Sequence, residues 1–383
     1  MSEMRDGIVK RGGTWCYKLE LSRDPATGGR RQRWVSGFRT RKEAEAGRDE
    51  ARAGVRKGTY TPPSRQTVAG YLTEWLAGMR AEYAPGTWDA AKIHVERCIV
   101  PRIGGVPLSG LTTPQIKAMY ADLRERGRLR GDQPLSPKTV HNIHRTLSRA
   151  LNDATRETPP RIPANPAARA HKMPDSPPQP TWSVEQLRVF LARVADDRLF
   201  ALWRLAPSSG LRRGELAGLR WRDVDLEAGR IALVEQRAKG GGTVSRQRLK
   251  GKRGRSVDLD PVTVAALRSW RKAQAAERLA WPGEWGNDAD LVFAHEDGRP
   301  LHPDSITKTF KRRVEAAGLP WVKLHGLRHT HATLLLQAGV NIKIVQERFG
   351  HSSIAITGDV YSHVTPGMQA DAATRVAALV DGD

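Results

Sequence analysis

His325-Gly326-Leu327-Arg328-His329-Thr330, then Phe349-Gly350-His351, then Tyr361, is the stretch from which the rest of the chain can be read. Residues 328–338 carry helical periodicity up to Gly339, and residues 342–348 repeat it up to Gly350, so two short helices with glycine stops are predicted. Three kinds of side chain recur along them. Arginine is a permanent, fork-shaped cation and histidine a donor whose charge follows its surroundings, so both suit a phosphate. Tyrosine can attack phosphorus as a nucleophile.

Upstream, Ser183 and Gln186 form a capping box that opens a helix running to Val194. The apolar run 199–205 reads as buried and ends at Ser208-Ser209-Gly210, after which residues 212–216 begin a short helix. Residues 231–234 are strand-like. The basic stretch 240–257 reads as a β-hairpin turning at Gly251-Lys252-Arg253-Gly254. Asp260-Pro261 caps the next helix, and Ile306, Phe310 and Val314 mark another.

Further toward the N-terminus, residues 157–181 hold eight prolines, too many for a continuous helix, and predict an extended connector. Before it, Val68, Leu72, Trp75, Leu76 and Met79 repeat at helical spacing. Thr113-Pro114 and Ser136-Pro137 each read as an N-cap with proline at the first helical position. With a helix at 88–100 these give a four-helix bundle. Residues 7–37 alternate with period two around the breaker cluster 24–29, and residues 41–55 turn helical, so a small basic sheet with one helix is predicted. The fold class is therefore multidomain, mainly α with small β elements: sheet plus helix at 1–60, bundle at 66–157, linker at 158–181, and an α+β domain at 182–383.

Charge limits the partners. Lys+Arg 63 minus Asp+Glu 41 leaves +22 in 383 residues, an excess that points to a polyanion, above all nucleic acid. It is spread along the chain: residues 1–60 hold 15 basic against 8 acidic side chains, and residues 237–255 hold 8 basic and no acidic ones. The candidates for DNA contact are Lys18, Arg31 and Arg33 in the sheet, Lys138, Arg145 and Arg149 in the bundle, and Lys252 and Arg253 in the hairpin. Taken singly, the bundle residues are better explained by solvation. No apolar run approaches the ~20 residues of a bilayer span, the start of the chain lacks a signal-peptide core, and Cys16 and Cys98 imply no disulfide framework. A reduced, cytoplasmic setting without membrane attachment is expected. His325, His329 and His331 lie close together, but no carboxylate accompanies them at a ligand spacing, so no metal is expected.

The joint occurrence, in order, of Ser209-Gly210-Leu211-Arg212-Arg213-Gly214-Glu215-Leu216, His325-Gly326-Leu327-Arg328-His329-Thr330, Phe349-Gly350-His351-Ser352-Ser353 and Tyr361-Ser362-His363 resembles the tyrosine recombinase (phage integrase) family over about residues 182–375. The bundle resembles that family's core-site DNA-binding domain, and the N-terminal sheet its arm-site domain. The resemblance implies that Arg212 and Arg328 hold the scissile phosphate and that His325 and His351 donate to it or move a proton. Lys250, with Lys252 as the alternative, would protonate the departing 5′ oxygen, and Tyr361 would be the nucleophile. Glu215 would support the site through hydrogen bonds, or merely form a salt bridge on a helix surface. His329 and His331 are assigned to packing. No cofactor is implied.

The implied activity is site-specific integration, with possible excision, of a phage or other mobile element. The implied partners are duplex DNA at core and arm attachment sites, a homo-tetramer on that DNA and, as optional accessories, an excision factor or a host DNA-bending protein. A type IB topoisomerase-like nicking and resealing enzyme, or a DNA-binding regulator without catalysis, would share parts of this pattern. Phe349 stands where the family often has leucine and is expected to matter only for packing; Asp258 replaces a frequent proline, and Gly358 precedes the tyrosine segment. Val376, Leu379 and Val380, at i, i+3 and i+4, suit either a neighbouring subunit or packing at home.

Overall fold

The computed structural model describes residues 7–21, 28–57, 60, 65–127, 133–172, 179–240, 243–248, 254–287, 289–350 and 368–381. The chain divides into two compact units, Met1–Asp175 and Ser176–Asp383.

The first unit opens with the expected antiparallel sheet, β1 (Ile8–Arg11), β2 (Thr14–Leu21) and β3 (Arg31–Phe38), in the order β1-β2-β3. Helix α1 (Arg41–Lys57) covers one face, where Tyr17, Leu19 and Ala44 are buried. The regular alternation predicted for β2 is broken by a bulge between Trp15 and Cys16. Cys16 is consequently buried and its thiol donates to the Val9 carbonyl. The register also divides the basic residues. Lys18 lies opposite Trp34 on the open face, whereas Arg33 and Arg31 lie opposite Leu19 and Leu21 on the helix side. These three are not one basic ribbon.

The bundle comprises α2 (Val68–Glu82), α3 (Pro85–Ile93), α4 (Val100–Ile103), α5 (Thr113–Arg126) and α6 (Pro137–Arg156), with α3 and α4 joined by a wide π turn over His94–Ile99. Its core is built from Leu72, Ile99, Ile116, Leu123, Ile143 and Leu147. The cap of α5 is Thr112 rather than Thr113. Gln115 completes the capping box, and the Thr113 hydroxyl donates instead to the Pro166 carbonyl. That bond reveals a second difference. Ile162, Ala167 and Ala170 are buried in the bundle core, so the first half of the proline-rich stretch packs home instead of extending. Proline excluded helix there without excluding burial. Lys138, Arg145 and Arg149 lie on the exposed side of α6, with the Arg149 guanidinium 4.1 Å from the centre of the Tyr83 ring.

The second unit contains α7 (Val184–Arg193), α8 (Phe200–Ser209), α9 (Arg213–Gly218), β4 (Val224–Asp225), β5 (Arg230–Leu233), β6 (Glu235–Gly240), β7 (Thr243–Arg248), β8 (Arg255–Asp258), α10 (Pro261–Ala280), α11 (Pro303–Ala316), α12 (Leu324–Gln337), α13 (Ile342–Phe349) and α14 (Met368–Asp381). Trp182, Phe190, Trp203 and Phe310 meet ring to ring at its centre. The hairpin differs from expectation. β6 pairs with β7, Gly240 opposite Thr243, leaving the Gly241-Gly242 pair as the connection. Gly241, Gly242 and residues 251–253 of the expected turn lie outside the described residues. β8 instead joins a second sheet, β4-β5-β8. Val376 and Val380 on α14 are exposed.

Candidate active site

The site grows from two chain reversals. At the first, Gly210 ends α8 with φ +65°, a left-handed conformation that favours glycine, and Arg212 becomes the N-cap of α9. Glu215, three residues on, accepts from the Arg212 backbone N–H at 2.8 Å and from its guanidinium at 2.9 Å. The Arg-Arg-Gly-Glu sequence is thus a capping box in which the acid closes the helix start. α9 is also pressed onto β6: a Cβ at Gly214 would lie 2.6 Å from the Arg237 carbonyl oxygen. Only glycine permits that approach.

Glu215 is fully buried, yet it is charged. Burial alone would raise its pKa, but hydrogen bonds and charge from Arg255, followed by the Arg212 backbone N–H and charge, hold it at about 2. Arg255, at the start of β8, grips it with both prongs, Nη1 to Oε1 at 2.9 Å and Nη2 to Oε2 at 2.7 Å. Each carboxylate oxygen therefore takes one bond from Arg212 and one from Arg255. Of the two readings of Glu215, the supporting carboxylate describes the geometry and the surface salt bridge does not.

The second reversal is the end of α13. Gly350 adopts φ +61° and Phe349 turns its carbonyl back toward α12, where it accepts from Arg328 Nη2 at 2.6 Å. Arg328 Nη1 donates to the Gly210 carbonyl at 2.7 Å. Its guanidinium carbon stands 4.4 Å from the centre of the Phe349 ring, a cation–π contact. Phe349 is therefore more than a packing residue. On the same ring, His331 stacks on Phe349 and accepts from Arg348 Nε at 3.0 Å. Burial first, then the charges of Arg348 and Arg328, hold His331 down to about 3, so it is neutral. Packing is its place, as expected.

Arg212, Glu215 and Arg328 thus converge from segments more than a hundred residues apart, Arg328 reaching the carbonyl of Gly210 two residues before Arg212. The Arg212 side chain remains 37% exposed while Arg328 as a whole is only 2% exposed. His325 sits exposed in the first turn of α12, which begins at Leu324 and not at residue 328, and its ring is perpendicular to that of His329 at 4.9 Å. Lys250, Lys252, Arg253, His351 and Tyr361 lie outside the described residues. Arg255 was the residue that sequence reasoning left among the crowded hairpin cations. One signal was available: it precedes Val257 by two, and in a strand that places both on one face. Val257 is buried, so its face is the inward one.

Two guanidinium groups, those of Arg212 and Arg255, thus meet on the buried Glu215 carboxylate, while Arg328 is held by the Gly210 and Phe349 carbonyls. Residues 183–368 match the Phage integrase family, and residues 8–50 match the Arm DNA-binding domain. The chain belongs to the phage integrase, or tyrosine recombinase, family, and is a site-specific DNA recombinase of the integrase type. Its relatives include a tyrosine recombinase XerC-like protein of Caldanaerobacter subterraneus subsp. tengcongensis, 29% identical over 87% of this chain and 88% of that protein. Among solved structures it is similar to the Tn1549 transposon integrase in complex with transposon right end DNA (TM-score 0.69, 23% identity, 81% of this chain and 99% of that one). It is also similar to a lambda integrase tetramer bound to a Holliday junction (TM-score 0.55, 19% identity, 94% and 96%). At these identities the two structures speak for the fold.

Proposed function

We propose that this chain cuts and rejoins duplex DNA through Tyr361. Arg212 and Arg328 neutralise the non-bridging oxygens of the scissile phosphate, with His325 and His351 donating to the same group. The Tyr361 oxygen bonds to phosphorus as the P–O5′ bond breaks, leaving a 3′-phosphotyrosyl link. Lys250, with Lys252 as the alternative, gives its proton to the departing 5′ oxygen. The free 5′-hydroxyl of one duplex then attacks the link on the other, and two such rounds exchange the strands. Bond energy stays in the covalent link and the arginines supply the positive charge, so the reaction calls for neither ATP nor metal.

The N-terminal sheet and α1 take arm sites, the bundle takes core sites, and the working assembly is a homo-tetramer on DNA in the bacterial cytoplasm. An excision factor or a host DNA-bending protein would set the direction of reaction. The observation that carries this reading is the convergence of the Arg212 and Arg328 segments on Glu215 and the Gly210 carbonyl. A nicked duplex carrying the attachment core beside the protein's own gene, incubated in EDTA, tests it. The unaltered protein should form a 3′ covalent adduct, and Tyr361→Phe should lower the yield by roughly 10³-fold or more while binding the duplex equally well. An undiminished adduct in that variant, or none with the unaltered protein, overturns the reading.

A further inference from the structure

We infer that Arg255 is a positioning residue that ties the two phosphate-directed arginines into one frame. The inference rests on the reading of Arg212 and Arg328 given above and names a residue that the recombinase signature does not include. Arg255 has three contacts, each to a different part of the site. Its two Nη groups hold both oxygens of Glu215, its Nε donates to the Arg348 carbonyl at 3.0 Å, and its stem runs so close to Gly350 that a Cβ there would lie 3.0 Å from Arg255 Cδ. Its side chain is 11% exposed, so it is a built-in member of the site rather than a surface cation awaiting DNA.

The contacts form a circuit. Arg212 binds Glu215, Glu215 binds Arg255, and Arg255 binds the peptide carbonyl of Arg348. The next carbonyl, that of Phe349, holds Arg328, and Arg328 returns to Gly210, two residues before Arg212. Cutting the circuit at Arg255 has two consequences. The end of α13, which holds Arg328 and precedes His351, loses its tie to α9. Glu215, stripped of a two-pronged partner, is left with Arg212 as its sole guanidinium among the described residues. A buried carboxylate in that position draws Arg212 into closer pairing and takes from it the donors a phosphate would need. Arg255 thus satisfies Glu215 so that Arg212 stays available.

Lysine cannot replace it fully. An ammonium is a point charge and cannot grip both carboxylate oxygens and reach the Arg348 carbonyl at once.

The test uses the full chain and the nicked attachment duplex, with Arg255→Met, Arg255→Lys, Arg212→Ala, Glu215→Gln and the double variant Glu215→Gln/Arg255→Met, each first checked to be folded at the assay temperature. Arg255→Met should slow adduct formation about 10- to 100-fold at unchanged duplex affinity, and Arg255→Lys should recover part of the loss. In the Glu215→Gln background the same Arg255→Met change should cost only a few-fold, because the carboxylate it manages is gone. Arg255→Met should also recover part of its rate at acid pH, a rise that the unaltered protein lacks, as Glu215 takes up a proton and releases Arg212.

Wild-type adduct rates in Arg255→Met, with Arg212→Ala inactive, overturn this inference and leave the catalytic reading standing. A fully active Arg212→Ala overturns the catalytic reading itself. Rate losses matched by equal losses of duplex affinity, or strict additivity with Glu215→Gln, show Arg255 to be an independent DNA contact and also overturn it. Should Arg255→Met fail to fold, Arg255→Lys carries the comparison, and a Lys variant at full rate refutes the proposal.

Discussion

The arginines of the second unit and the basic residues of the bundle are the same chemical groups put to opposite uses. Arg328 is buried and the Arg255 side chain largely enclosed, each bonded to at least two partners whose positions the fold dictates. Lys138 and Arg145 stand in solvent on α6. A cation that must meet one developing charge gains from being fixed beforehand, because no reorganisation is then required in the transition state. A cation that only neutralises a polyanion gains little from it, since counterion release is insensitive to side-chain pose. The difference teaches that rigidity, more than charge, sets Arg255 and Arg328 apart from the basic residues of the bundle.

That contrast can be broken most severely at Glu215. Glu215→Ala leaves Arg255 buried without its carboxylate, which should cost about 3–5 kcal/mol, visible as a lower melting transition of the second unit and loss of the adduct. An unchanged melting curve would mean that the buried pair is dispensable. Phe349→Leu, which keeps the carbonyl that holds Arg328 and removes the ring, should leave folding intact and cost roughly 1 kcal/mol, about five-fold in adduct rate. An equal rate would reduce the Arg328–ring contact to mere proximity.

Acidity separates the layers of the site. His331 is held at about 3, below its ordinary value, so its neutral form favours the fold. Its contribution is whole above about pH 6.5 and falls away as pH drops toward 3, because the unfolded chain binds that proton first. Glu215, held at about 2, adds a further loss as pH falls from its ordinary ~4.3 toward 2. Thermal melts of the second unit between pH 7 and 5 should show a mild decline, and His331→Gln should flatten it; a decline that persists in the variant assigns the effect elsewhere. The smallest expected changes lie on α6. Lys138→Ala or Arg145→Ala should weaken duplex binding a few-fold, with a shallower salt dependence and no change in adduct rate at saturation. A drop in saturated rate would mean that these residues also shape the catalytic complex.

Much of this was legible in the sequence because periodicity and capping are local. The capping box at Ser183 and Gln186 and the glycine stop at Gly210 needed no partner beyond a few neighbouring residues to be recognised. The α5 cap missed by one residue because Thr112 and Thr113 offer the same hydroxyl, and only the contact to Pro166 separates them. The hairpin was legible only in part because strand pairing is a non-local event: β6 takes β7, while β8 takes β5.

By itself, then, the sequence determined the chemical inventory and its order: which arginines, histidines and tyrosine occur, in which boxes, on which kinds of helix. What only tertiary structure decided is which cations meet. Arg255 looks like its neighbours in a basic run, yet β8 pairing aims its side chain at Glu215, 40 residues back along the chain. The physical reason is that helix and turn signals act over a few residues, whereas a buried charge is stabilised only by a partner that folding brings from afar.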